Sequence, residues 1–130
     1  MKIIVLEGLP TTGKTTTMGM VYATLVANGA NQISFTPLNT PNDFEAVVKY
    51  EKKKLAIYSE GDTLKNCYAA INKFAPTIDV LVMAYSRKKI QLVINPKLYK
   101  EIRLQKNVES ASVHRVQANA TDCKAIINNI

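Results

Sequence analysis

The chain has 130 residues, of which 47% are hydrophobic and 21% charged, and its formal charge is +7. That length suits one domain with a real core and leaves little room for a lid or a large acceptor-binding insert. The composition excludes a disordered or fibrous chain, and no apolar run approaches bilayer length.

Lys2 to Leu6 (K-I-I-V-L) is an apolar, β-branched run suited to a buried parallel strand. The next residues, Gly8-Leu9-Pro10-Thr11-Thr12-Gly13-Lys14-Thr15, follow the pattern G-x-x-x-x-G-K-[ST]. Met18, Val21, Tyr22, Leu25 and Val26 then recur on one helical face until Asn28-Gly29 offers a stop. Strand, loop and helix in this order are the context the pattern requires. Gly8 and Gly13 permit backbone angles and close approaches that a Cβ would obstruct. The loop's N–H groups converge into an anion-binding nest, reinforced by the positive end of the helix that follows. Lys14 is placed to reach β- and γ-phosphates, Thr15 to ligate Mg²⁺, and Thr16 to bond an α-phosphate. The candidate phosphate-binding set is therefore Gly8, Pro10, Thr11, Thr12, Gly13, Lys14, Thr15 and Thr16. Thr17 reads as a helix-surface residue.

On these residues the chain resembles the P-loop NTPase superfamily, the match covering about Met1 to Gly29. The resemblance implies an α/β fold: a three-layer, open, mainly parallel sheet with ATP or GTP bound at the strand ends. Many small-molecule kinases carry another glycine midway in the loop, where this chain has Thr11. That departure counts against the nucleoside and shikimate kinase branches. More loosely, the chain resembles small uncharacterised bacterial and phage P-loop proteins. Those have a β-hairpin, then a Gly-Asp step, a helix, and a strand ending near an arginine.

Gln32 to Thr36 reads as a short strand closed by Pro37. Residues 43–54 fit either a helix begun at Thr40-Pro41 or a hairpin with Glu51 to Lys54 at its tip. The hairpin is the reading adopted, partly on the resemblance. Leu55 to Ser59 is a strand ended by Glu60-Gly61-Asp62. Leu64, Cys67, Tyr68, Ile71, Phe74 and Ala75 then form a helical stripe, with Asp62 as its N-cap and Pro76 as its stop. Val80 to Ala84 is another apolar strand. Asn95-Pro96 predicts a helix through Leu98, Tyr99, Ile102 and Gln105. Ser112 to Gln117 reads as a last strand, before a terminal helix capped by Asn119 or Thr121.

Phosphoryl chemistry also needs a metal-steadying acid and a group that orients the attacking oxygen. Ligands in open α/β sheets bind beyond the carboxyl ends of strands. Glu60 and Asp62 satisfy that condition and are candidate catalytic residues with Lys14. Asp62 is also, with Thr15, a candidate for the Mg²⁺ site, although an N-cap role explains an aspartate equally well. Glu7 ends the first strand and is a weaker candidate. Asp79 precedes its strand and is a turn residue at the opposite edge. Arg87, after the strand ending at Ala84, either stabilises charge on a transferred phosphoryl group or belongs to a basic turn.

Cys67 and Cys123 are too far apart for a metal pair and read as buried free thiols. His114 is the sole histidine, a surface or structural residue. The basic residues of 52–54, 87–89 and 97–106 either attract a polyanion such as nucleic acid or solvate the surface. Tyr99 is the one aromatic residue within these stretches, not the interleaving that a single-strand binding platform would want, which favours solvation. The start of the chain does not resemble a signal peptide, and the expected location is the cytoplasm. Three functional readings follow: a nucleotide-dependent hydrolase or small phosphotransferase, a nucleotide-binding module without turnover, and a nucleotide-regulated nucleic-acid-associated protein. The nucleotide is ATP or GTP, with ATP favoured by its commonness and by the absence of an Asn-Lys-x-Asp run. No residue pattern indicates a partner protein.

Overall fold

The computed structural model describes residues 1–10, 12–86, 91–108 and 112–130. The elements run β1 (Lys2–Gly8), α1 (Lys14–Ala27), β2 (Asn31–Pro37), β3 (Phe44–Tyr50) and β4 (Lys53–Tyr58). They continue with α2 (Leu64–Phe74), β5 (Val80–Ser86), β6 (Lys100–Gln105) and α3 (Ser112–Asn128). The strands form one six-stranded sheet in the order β2-β3-β4-β5-β1-β6.

The sheet is mixed. β4, β5, β1 and β6 are parallel neighbours, whereas β2–β3 and β3–β4 are antiparallel. The hairpin expected across residues 43–54 is present, with Glu51 and Lys52 at positive φ in its tip. β2 adds to its free edge and makes an antiparallel meander, so antiparallel pairing extends further than the single hairpin expected. Every residue of β2 is exposed, and an edge strand paired along one side is consistent with that.

Two apolar clusters sandwich the sheet. Ile4, Leu6 and Val82 pack with Met18, Val21 and Leu25 of α1 and with Cys123 and Ile126 of α3. Ile3, Val5, Leu81 and Met83 pack on the other face with Cys67, Ile71 and Phe74 of α2. β1 and β5 contribute to both clusters because alternate side chains point to opposite faces. Their continuous hydrophobic runs therefore belong to central parallel strands covered on both sides. No helix among the described residues is long and apolar enough to cross a membrane.

Three local expectations fail. Residues 100–105 form a strand, not the end of a helix. Asn95 does start a turn, its side chain accepting a hydrogen bond from the Lys97 N–H at 2.9 Å, but the turn is not propagated. Ile102 and Leu104, two residues apart, pack on the α1–α3 cluster when β6 pairs with β1. That parallel pairing overrides the weak helical spacing. Residues 112–117, read as a strand, are the first turns of α3. Ala118, Asp122, Cys123 and Ile126 are buried at helical spacing, so Asn119 and Thr121 lie inside the helix and cap nothing. Finally, Asp62 does not cap α2. Thr63 does, its hydroxyl accepting from Asn66 N–H at 3.1 Å.

Both cysteines are free and buried, as expected. Burial pushes the Cys67 thiol up to about 12, with a smaller contribution from the Asp62 carboxylate. At pH 8 the folded protein should therefore react with a thiol reagent at Cys67 about a thousandfold more slowly than a free cysteine. Rapid labelling on unfolding, followed by mass spectrometry, checks this. The sign for stability follows. Below pH 9 the thiol is protonated in both states, whereas from pH 9 to about 12 only the unfolded state ionises. This group therefore lowers stability as pH rises through that window.

Candidate functional site

The carboxyl ends of β1, β4 and β5 meet the amino end of α1 at one edge of the sheet. The 8–15 segment crosses that edge. Gly13 takes φ +94°, a conformation that strains any residue with a Cβ. A methyl group there would also lie 2.7 Å from Asn119 Oδ1 of α3. Gly8 matters for space rather than for positive φ: its added Cβ would stand 2.8 Å from Lys106 Cβ. The turn is fastened internally. Thr12 Oγ1 donates to Leu9 O at 2.7 Å and Thr17 Oγ1 to Gly13 O at 2.8 Å. Thr17 is fully buried, so the surface role expected for it is incorrect; its hydroxyl ties the helix to the loop.

Lys14 is also buried, and its Nζ donates to Leu9 O at 2.6 Å and to Thr12 Oγ1 at 3.4 Å. Burial lowers its pKa; Asp62 raises it and Lys106 lowers it further. An ammonium held in a desolvated turn, with no direct ion pair among the described residues, is suited to an anionic ligand. The first N–H groups of α1 have no acceptors within the helix. They open onto a cleft of about 580 Å³ lined by Pro10, Gly13, Lys14, Thr15, Asp62 and Ser86, among others. Thr16 is exposed on the same rim.

The acids are arranged differently from the expectation. Thr15 Oγ1 donates to Asp43 Oδ1 at 3.0 Å, and Ser59 Oγ donates to the same oxygen at 2.8 Å. Asp43 is buried. Sequence reasoning missed it because residue 43 lay in a segment left between helix and hairpin. The signal was the hairpin itself: β3 runs antiparallel to β4, so the residue before β3 reaches the edge where β4 ends. Asp62, freed from capping, accepts from Ser86 Oγ at 3.1 Å and lines the cleft. Glu60 turns aside and accepts from Thr40 Oγ1 at 3.1 Å. Asp79 lies at the far edge as expected, accepting from Lys54 N–H at 2.8 Å. Thr11 and Arg87 lie outside the described residues.

The other flank was also missed. Lys106 follows β6 and is buried, its Nζ 2.8 Å from Asp122 Oδ2 of α3. One of the basic residues read as surface is thus a structural cation behind the loop. Glu7 is buried next to it, its main-chain oxygen accepting from Lys106 N–H at 2.8 Å and its Oε2 from Gln105 Nε2 at 2.9 Å. Glu7 Oε1 has no hydrogen-bond partner among the described residues. Gln105 and Lys106 could not be placed while 95–105 was read as a helix, whereas Glu7 was already at the end of the first strand.

A hydroxyl, a carboxylate and a second carboxylate across the cleft form an all-oxygen set, which suits a hard cation such as Mg²⁺. Among the described residues no three His, Cys, Asp or Glu side chains cluster to hold a metal ion. Mg²⁺ commonly uses one or two carboxylates together with phosphate oxygens and water, and Thr15, Asp43 and Asp62 fit that pattern. Comparison of the chain with protein-family models, curated proteins and solved structures yields no match.

Proposed function

We propose that this protein binds a nucleoside triphosphate, ATP in preference to GTP, together with Mg²⁺ at the β1–α1 turn, and acts as a hydrolase or small phosphotransferase of P-loop type. The contact between Thr15 and buried Asp43 carries the reading. It sets a carboxylate against the one hydroxyl that the motif assigns to the metal, which chance agreement of eight letters does not explain. The parallel strands β4, β5, β1 and β6 support the same reading, since their carboxyl ends converge on the turn.

The residues divide the work as follows. Main-chain N–H groups of the turn and the start of α1 hold phosphate oxygens. Lys14 exchanges its bond to Leu9 O for β- and γ-phosphate oxygens. Thr15, with Asp43 behind it, holds the metal, which when bound neutralises charge on the β- and γ-phosphates. Asp62, in the cleft and bonded to Ser86, orients or deprotonates the attacking oxygen, with Glu60 more remote. Arg87 stays a candidate for charge stabilisation.

Single-turnover incubation with γ-labelled ATP tests the enzyme reading. Asp43→Asn keeps an oxygen for the Thr15 and Ser59 hydroxyls while removing the charge. It should lower phosphate release or transfer by about 10- to 100-fold with the melting temperature little changed. Turnover no higher than in a Lys14→Ala control would refute the enzyme assignment, and a turnover rate that Asp43→Asn leaves unchanged would refute the role given to Asp43.

A further inference from the structure

Both glycines of the phosphate turn rest on one outside unit, made of the end of β6 and the helix α3. Gly8 has Lys106 against it. The Lys106 N–H donates to Glu7 O at 2.8 Å, and a Cβ added at Gly8 would stand 2.8 Å from Lys106 Cβ and 3.6 Å from its Cγ. Gly13 has Asn119 against it, since an added Cβ would meet Asn119 Oδ1, Nδ2 and Cγ at 2.7, 3.2 and 3.4 Å. The flat carboxamide therefore lies where a side chain on Gly13 would be.

A closed polar network joins the two halves of this unit. Lys106 Nζ, wholly buried, donates to Asp122 Oδ2 at 2.8 Å and to Asn107 O at 2.6 Å. The Asn107 N–H donates to Asp122 Oδ2 at 3.0 Å, and Asn107 Nδ2 donates to Asp122 Oδ1. A buried network whose members are satisfied in this way rigidifies what it joins. Asp122 lies three residues after Asn119, on the same side of α3. Cys123 and Ile126 continue that side into the cluster shared with α1.

Resting on the nucleotide reading above, the unit has a task that the turn cannot perform alone. Glycine has the widest backbone freedom of any residue, so the two positions that shape the turn are also those most prone to leave that shape. Inside the turn, Lys14 Nζ and Thr12 Oγ1 both donate to Leu9 O. A phosphate that takes Lys14 removes one of these fasteners while the N–H groups must stay convergent. The contacts of Lys106 and Asn119 do not involve Lys14. We infer that β6 and α3 form a cradle for the phosphate turn. Asn119 is the positioning residue that holds Gly13 at its positive φ, and the Lys106–Asp122 pair clamps α3 so that Asn119 stays over it. The turn's N–H groups are thus aimed before the ligand arrives, and less ordering is left for binding to impose. Asn119 is not among the described residues that line the cleft; it acts through Gly13, without touching phosphate.

Asn119→Ala and Asn119→Leu, compared with wild type, test this. Alanine removes the atoms that lie on Gly13, whereas leucine, branched at the same carbon, replaces them without a polar group. Alanine favours a helix more than asparagine does, so Asn119→Ala should melt no lower than wild type. By calorimetry it should nonetheless bind ATP with Mg²⁺ about tenfold or more weakly. Tripolyphosphate, which offers phosphates alone, should lose affinity by the same factor, and Asn119→Leu should restore both. Nitrogen-15 relaxation dispersion on the ligand-free protein should be flat at the Gly13 amide in wild type and in Asn119→Leu, with exchange in Asn119→Ala. If wild type binds ATP and Asn119→Ala binds it as tightly, the cradle falls and the nucleotide reading stands. Equal losses in both variants would make the carboxamide a ligand contact, and weaker binding with a lower melting temperature would make Asn119 merely structural; either overturns the positioning role. If wild type binds neither ATP nor tripolyphosphate, the nucleotide reading falls and the cradle's role in binding falls with it.

Discussion

Lys14→Ala should weaken ATP binding by about a hundredfold or more, a loss of roughly 3 kcal/mol from charge-assisted bonds to two phosphates. The fold should survive the change. In the structure Lys14 is buried and contributes two local hydrogen bonds, to Leu9 O and Thr12 Oγ1, but burial lowers its pKa. The folded state therefore bears a cost for the charge, present in full at neutral pH. That cost is relieved as pH rises from the lowered pKa toward the ordinary 10.5. The same shift means that ATP affinity should begin to fall below pH 10.5, as the free lysine loses its proton. Titration calorimetry of the variant and a pH series on the wild type check both statements, with circular dichroism as the control for folding.

Gly61→Ala should be the most destabilising small substitution in the chain. A Cβ at Gly61 would lie 1.7 Å from Ala84 O and 2.5 Å from Ala84 C, both backbone atoms of β5. No side chain can swing aside to relieve that overlap. Ser86 N–H donates to Gly61 O at 2.8 Å, so the 59–62 turn and the end of β5 are locked where the clash occurs. Overpacking of this kind costs about 3 kcal/mol or more, roughly a 10 °C drop in melting temperature for a chain of this size. Because Ser86 and Asp62 both line the cleft, ligand binding should weaken as well. Gly19→Ala is the contrasting case. It meets open space inside α1 and should be neutral or stabilising by up to about 1 kcal/mol. Thermal melts of the two variants against wild type settle the comparison.

What could be read in the chain depended on how local the cause was. β1, the loop and α1 were legible because an apolar run, two glycines and a helical stripe follow one another within about thirty residues. β4, α2 and β5 carried similarly strong periodicity. β6 was not legible: Lys100 to Gln105 has helical and strand spacing alike, and only pairing with β1 decides between them. The start of α3 failed for the converse reason, its β-branched residues suggesting a strand until helix packing on α1 is known. The site followed the same division. Gly8 to Thr16 came from the motif. Asp62 came from its place after β4, although for a helix cap the chain uses Thr63. Asp43 needed the antiparallel direction of β3, and the ring contacts among Tyr22, Phe35 and Phe44 needed β2 beside it. Tyr22, Phe35 and Phe44 are distant in sequence and meet only when the meander forms.

Calorimetric titration of the wild-type chain with ATP, in the presence and absence of Mg²⁺, probes the assignment most directly. One ATP per chain, bound more tightly with Mg²⁺ than without it, is the expected result. Absence of binding heat under both conditions, or heat that persists undiminished in Lys14→Ala, would contradict it.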